Sequence, residues 1–327
     1  MHVKLIGELI GFEAQGDYKH FEAFPGFNVT NDEKFLNDNF LDDYFVKRIG
    51  EIEVETLQEY TYVYHLVNTD DIPKEYHPIN ISAMFSNSTA MLNAWLSSLW
   101  FVKDNSVSRR NIYLYTVNEK EKSVVLSSTS DSHTNALGEQ CHTVFSVEEL
   151  DEAFKWMGLL EPYLRRKDRK DKQMEQGFVK DDSHEIYMKD DRFLRALRFL
   201  FLARRQSFVP EKITSLISAM ETLLSTSNSE LKFQVSSRAC KIIGGDLKEK
   251  KNNYDIIREA YDLRSAYVHG GELVGKYRRE NGKLTSLATN MDNVMRKLMK
   301  ELIENHSELA AKDTKGLGEW FTDLMLK

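Results

Sequence analysis

The chain has 327 residues, of which 41% are hydrophobic and 29% charged, with a net charge of −7. Those values exclude a disordered chain, no stretch approaches the ~20 apolar residues of a membrane helix, and the length suits two domains. Charge is uneven: residues 1–150 hold 11 Lys and Arg against 23 Asp and Glu (−12), and residues 151–327 hold 33 against 28 (+5), so the second half is the better host for a polyanion such as nucleic acid.

The N-terminus "MHVKLIGELIGFE" has no basic region and no small-residue cleavage site, so no signal peptide is expected. "HVKLIGELIGFE" and "IEVETLQEYTYVYHLV" carry the β-branched and aromatic residues of strands. "ISAMFSNSTAMLNAWLSSLWFVKD" spaces its apolar residues by three and four, which predicts a helix with one buried face. "NIYLYTV" and "SVVLSSTS" read as two strands joined by the charged turn "NEKEK". His133, Cys141 and His142 raise the question of a metal, but adjacent Cys and His side chains diverge in a strand and no fourth ligand is near, so no metal is expected. Residues 1–150 are therefore read as an α+β domain.

From "SVEELDEAFKWMGLLEPYL" onward the pattern is helical, and Ser146 with Glu149 fits a capping box. Residues 151–189 are read as a helix followed by a charged, partly ordered linker. Residues 190–327 are read as an all-α bundle. "DRFLRALRFLFLARRQ" has an apolar stripe through Phe193, Leu197 and Leu200, and "PEKITSLISAMETLLST" has Pro210 in its first turn and an apolar face through Ile213, Ile217, Met220 and Leu224. "SELKFQVSSRACKIIGG" and "NNYDIIREAYDLRSAYVHGG" each stop at a glycine pair, and "LTSLATNMDNVMRKLMKELIENH" is a last long helix. Short connections imply an antiparallel up-and-down arrangement. "GLGEWFTDLMLK" has the bulk to dock back on the body. The two cysteines, Cys141 and Cys240, lie far apart, and without secretory marks the expected location is cytoplasmic with reduced thiols.

The order of "ISAMETLLST", "LKFQVSSRACKIIGG" and "IREAYDLRSAYVHGG" resembles the HEPN superfamily, specifically its Apea-like branch, over roughly residues 190–310. The similarity rests on Glu221, Arg238 and the "RSAYVHG" block, in which an arginine is followed after four residues by His-Gly; the residue after the arginine is Ser265. The resemblance implies a helical bundle that acts as a homodimer, and often a metal-independent endoribonuclease that needs no cofactor. It also implies a setting such as toxin–antitoxin pairs, anti-phage abortive infection or RNA-guided effectors; residues 1–150, which the resemblance does not reach, are read as a sensor or regulator that binds a trigger.

The chemistry of the residues is compatible with that expectation. Metal-free RNA cleavage uses the 2′-hydroxyl as nucleophile and needs a proton-moving group and a cation against the growing phosphate charge. His269 can supply the first near neutral pH and Arg264 the second, as an always-charged fork of donors. Five residues at ~100° each place the two about 140° apart on a straight helix. Either the glycine pair Gly270–Gly271 lets His269 swing away, or a two-fold dimer brings both copies of the motif to one cleft. Glu221 interrupts an apolar face and needs a partner, Arg264 or Arg238. Asp262 and Tyr267 are candidates for further polar contacts, and Lys276, Arg278 and Arg279 for RNA phosphates, although a solvated loop is the favoured reading of those three. Two other readings stay open: a module that binds nucleic acid or a nucleotide without cutting, and a dimeric adaptor that binds no RNA.

Overall fold

The computed structural model describes residues 1–15, 20–73, 80–129, 132–164, 192–271, 275, 277 and 282–326. The chain divides into two units, one of Met1–Asn135 with Glu139–Gly158 and the other of Ala136–Gly138 with Leu159–Lys327. The charged run expected to be a linker lies largely outside the described residues.

In the first unit the strands are β1 (His2–Leu9), β2 (Phe12–Ala14), β3 (Phe21–Phe24), β4 (Phe27–Thr30), β5 (Thr61–Asn68), β6 (Asn111–Val117), β7 (Lys122–Ser128) and β8 (Thr143–Phe145). Its helices are α1 (Glu33–Asn39), α2 (Asp43–Ile49), α3 (Glu51–Glu59), α4 (Ile81–Val102) and the start of α5 (Val147–Leu164), within which the two units meet in sequence. Six strands form one antiparallel sheet in the order β3-β4-β5-β1-β6-β7, and β2 pairs with β8 in parallel. β1 is central: Ile6 stands opposite Tyr64 on one side and Tyr113 on the other.

Side chains alternate along these strands, and both faces are covered. Val3, Leu5, Val63, Ile112 and Leu114 pack with Leu92, Trp95, Leu96 and Leu99 of α4. Ile6, Tyr62, Tyr64, Tyr113 and Tyr115 pack with Leu36, Phe40, Phe45 and Leu57 from the α1–α3 segment. Burial on both faces explains why "VKLIGELI" reads as nearly continuous apolar sequence rather than as a clean alternation.

One expectation is corrected. "IEVETLQEY" is not strand but helix α3, and the strand begins only at Thr61. Ile52, Val54 and Thr56 mimic a two-residue period, yet Ile52 is 75% exposed while Glu53, Val54 and Leu57 turn inward, the spacing of a helix. Glu51 and Glu53 sit in the first turn, where the helix dipole favours acids. The carboxylate of Glu53 accepts hydrogen bonds from Asn111 Nδ2 (2.8 Å) and the Tyr113 hydroxyl (2.9 Å), which ties the helix to β6.

The capping box at α5 forms as expected: Ser146 N donates to Glu149 Oε2 (3.0 Å) and Glu149 N to Ser146 Oγ (3.3 Å). The second unit is all-helical, with α6 (Arg192–Arg205), α7 (Val209–Leu224), α8 (Leu231–Ile243), α9 (Leu247–Val268), α10 (Lys283–Asn305) and α11 (Thr314–Leu326) after the end of α5. α7 is its axis and packs against α6, α8, α9 and α10. Ile213, Ile217, Met220 and Leu224 on α7 are fully buried, as are Val235 and Ala239 on α8, Ile257 and Ala260 on α9, and Met291 and Leu298 on α10. The C-terminal helix buries Leu317 and Phe321. Among the described residues no helix is long and apolar enough to cross a membrane.

Candidate active site

Glu221 lies on α7 between Ile217 and Leu224, both fully buried, with its own side chain 17% exposed. Its counterion is Arg264 on α9, whose Nη1 is 3.4 Å from Glu221 Oε1. Arg238, the other sequence-level partner for Glu221, is committed elsewhere. Its guanidinium donates to the Leu224 carbonyl at the end of α7 and to Thr226 Oγ1 (3.0 Å), and it stacks 4.2 Å from the Phe321 ring centroid. Arg238 therefore caps one helix and holds another, which makes it a structural arginine.

Tyr261 was missed by sequence reasoning. It sits one turn before Arg264, is buried, and has its hydroxyl beside Glu221. Burial first, and then the Glu221 charge, push the Tyr261 phenol far above its usual range, so it keeps its proton. The spacing of three from Arg264 was the available signal. Arg264 Nε is buried with no hydrogen-bond partner among the described residues. The ion pair thus fixes Arg264 while 32% of its side chain stays exposed.

His269 stands apart from this cluster. It is the last residue of the helical path, at φ −90 and ψ 11, and its amide still donates to the Ser265 carbonyl (3.1 Å). The chain leaves the helix only at Gly270, at φ +71. The Gly271 amide returns to Ala266 O (2.8 Å) and the Gly270 amide to Tyr267 O (3.3 Å), the paired bonds of a Schellman turn. The glycines therefore stop the helix, but they do not swing His269 out of its path. The ideal helix spacing of about 140° between positions 264 and 269 therefore still applies to the imidazole ring's point of attachment. The ring is exposed, and no hydrogen bond or ion pair holds it among the described residues.

The remaining candidates brace α9. The Tyr267 hydroxyl donates to Glu211 Oε1 (2.8 Å) in the first turn of α7, a bond that raises its pKa. Asp262 pairs with Lys232 of α8 (2.5 Å), and Ser265 is exposed. Lys276, Arg278 and Arg279 lie outside the described residues.

Elsewhere, His133 Nδ1 lies 2.7 Å from the Val107 carbonyl and Cys141 Sγ 3.6 Å from Ser106 Oγ. Burial pushes the Cys240 thiol up to about 12, which makes it a poor nucleophile. No family model, curated protein or solved structure matches this chain.

Proposed function

We propose that the helical unit is a metal-independent endoribonuclease module of HEPN type, working as a homodimer, with a role in bacterial defence and with the first unit as its regulator. The observation that carries this reading is Arg264, paired with Glu221 yet still 32% exposed, on the helix that ends in an exposed His269. Arg264 is the cation for a phosphate whose negative charge grows during reaction. His269, an exposed imidazole at the end of the same helix, is the group that moves protons to and from the reacting oxygens. In the reaction the 2′-oxygen bonds to the adjacent phosphorus and loses its proton to a base. The bond to the 5′-oxygen breaks, that oxygen takes a proton, and a 2′,3′-cyclic phosphate and a 5′-hydroxyl result.

Helix spacing sets the two side chains apart on one copy, so the proposed site combines Arg264 and His269 from different copies. Exposed apolar side chains at this helix end favour such a contact: Val268 is 55% exposed, and Phe208, whose ring lies 5.8 Å from Tyr267, is 50% exposed.

The test is cleavage of end-labelled RNA in excess chelator. The wild-type chain should yield cyclic phosphate ends, and Arg264→Ala or His269→Ala should each lose about 10²-fold or more. A mixture of the two variants should recover part of the rate, because a mixed dimer rebuilds one composite site. Equal cleavage by wild type and both variants refutes the assignment. The separation of Arg264 and His269 within one chain favours a second reading, a module that binds RNA without cutting. It predicts salt-dependent RNA affinity and no product.

A further inference from the structure

The six-stranded sheet of the first unit has two edges, and they are built differently. β3 is four residues long, carries Glu22, and has a register irregularity between Glu22 and Phe24, all features that discourage another strand from pairing. β7 is seven residues long, and its stretch Ser123–Ser128, "SVVLSS", has no charge, proline or irregularity. Val125 and Leu126 on it are 46% and 54% exposed.

The hydrogen-bond phase of the β6–β7 ladder settles which backbone groups face outward. Thr129 N donates to Arg110 O and Asn118 N to Glu121 O, both in the same register as the ladder. In an antiparallel pair, bonded and non-bonded positions alternate. Ser123, Val125 and Ser127 therefore bond inward to β6, and Lys122, Val124, Leu126 and Ser128 direct their amides and carbonyls away from the sheet. The Lys122 carbonyl is already taken by the Tyr44 hydroxyl (2.7 Å). Val124, Leu126 and Ser128 have no outward backbone partner among the described residues.

Those three positions are symmetric about Leu126. We propose that β7 is an interface strand that pairs antiparallel with β7 of a second copy of this chain, with Leu126 on the two-fold axis. In that register Leu126 faces Leu126 of the second copy and Val124 faces Ser128, so every outward donor and acceptor of the three residues is used. Val125 lies opposite Ser127 at a non-hydrogen-bonded position, where side chains approach most closely. A register centred on Val125 needs the Lys122 carbonyl, which Tyr44 already occupies. The uncharged stretch places no like charges opposite each other, and the ammonium of Lys122 is held by Asp42 (2.7 Å). Neutrality and symmetry together fit a second copy better than a charged peptide.

The register gives the experiment. Val125→Cys chains mixed with Ser127→Cys chains should form disulfide-linked dimers under mild oxidation, because those two positions face each other at bridging distance. Either variant alone, or wild type with its native Cys141 and buried Cys240, should not. Adding Leu126→Lys to both chains sets two ammonium groups against each other on the axis and should cut the yield roughly tenfold. Leu126 is exposed, so this change leaves the fold intact. Absence of the mixed dimer, equal yield from one variant alone, or indifference to Leu126→Lys overturns the proposal. No RNA is involved, so this outcome is independent of the cleavage assay.

Discussion

Arg264 and Glu221 are a pair in which each side chain depends on the other. With 32% and 17% of their side chains exposed, they lie between the regime of surface pairs, worth little, and that of buried pairs, costly to break. Glu221→Ala leaves a half-buried guanidinium beside the buried Tyr261 ring and should lower stability by about 1–3 kcal/mol in a urea titration. It should also lower any RNA cleavage by letting Arg264 wander, with Glu221→Gln intermediate in both measurements. A stability loss without a rate loss would separate the pair from the chemistry. Glu221 was legible because a carboxylate on an apolar helix face is conspicuous. Arg238 was not, since its partners, the Leu224 carbonyl and the Phe321 ring, are a backbone atom and a residue more than eighty positions away.

Helices announce their ends through short local signals, and these were read well where the helices are long. The glycine pair after His269 is one such signal. A side chain at Gly270 meets no atom within 4 Å, so the cost of Gly270→Ala is the backbone cost of φ +71, about 1–2 kcal/mol. Thermal or urea denaturation of Gly270→Ala should show that loss. The helices α1 and α2 were not read from the sequence. Each has seven residues, too few for a periodic signal, and each depends on an aspartate cap, Asp32 or Asp42.

Asp42 does more than cap. Its side chain accepts from Tyr44 N and Phe45 N and also takes hydrogen bonds from Tyr115 and Lys122, which links α2 to β6 and β7. Burial alone would raise its carboxyl, but the hydrogen bonds from Lys122, Tyr115 and the Phe45 amide outweigh it and hold the group at about 2, against 3.8 in the unfolded chain. A depressed folded pKa means that the stabilisation is whole above about pH 4 and is lost as the pH falls toward 2. Urea titrations between pH 5 and 2 should show wild type losing stability faster than Asp42→Asn, which keeps the cap and cannot titrate. Parallel curves would show that the linkage is absent.

Across the whole molecule, local pattern and long-range pairing differ in how far a sequence exposes them. The second unit is built from consecutive helices that pack on α7, so its periodicity carried most of its architecture. The first unit places its first strand at the centre of the sheet, between β5 and β6, and no local pattern encodes that order. Charge is the other whole-molecule property a sequence states outright. A chain of net charge −7 with a balance of −12 over residues 1–150 repels RNA at long range, so any RNA affinity must come from basic side chains clustered in the second half. Lys276, Arg278 and Arg279 are the densest such group next to the motif. Each phosphate contact to a single strand contributes about −0.7 to the slope of log affinity against log salt. Replacing the three by alanine should therefore flatten that slope by about 2 and weaken binding of every RNA sequence alike, with the cleavage rate of saturating RNA unchanged. An unchanged slope would assign the phosphate contacts to other side chains, and a lost rate at saturation would move these residues from binding into the chemistry.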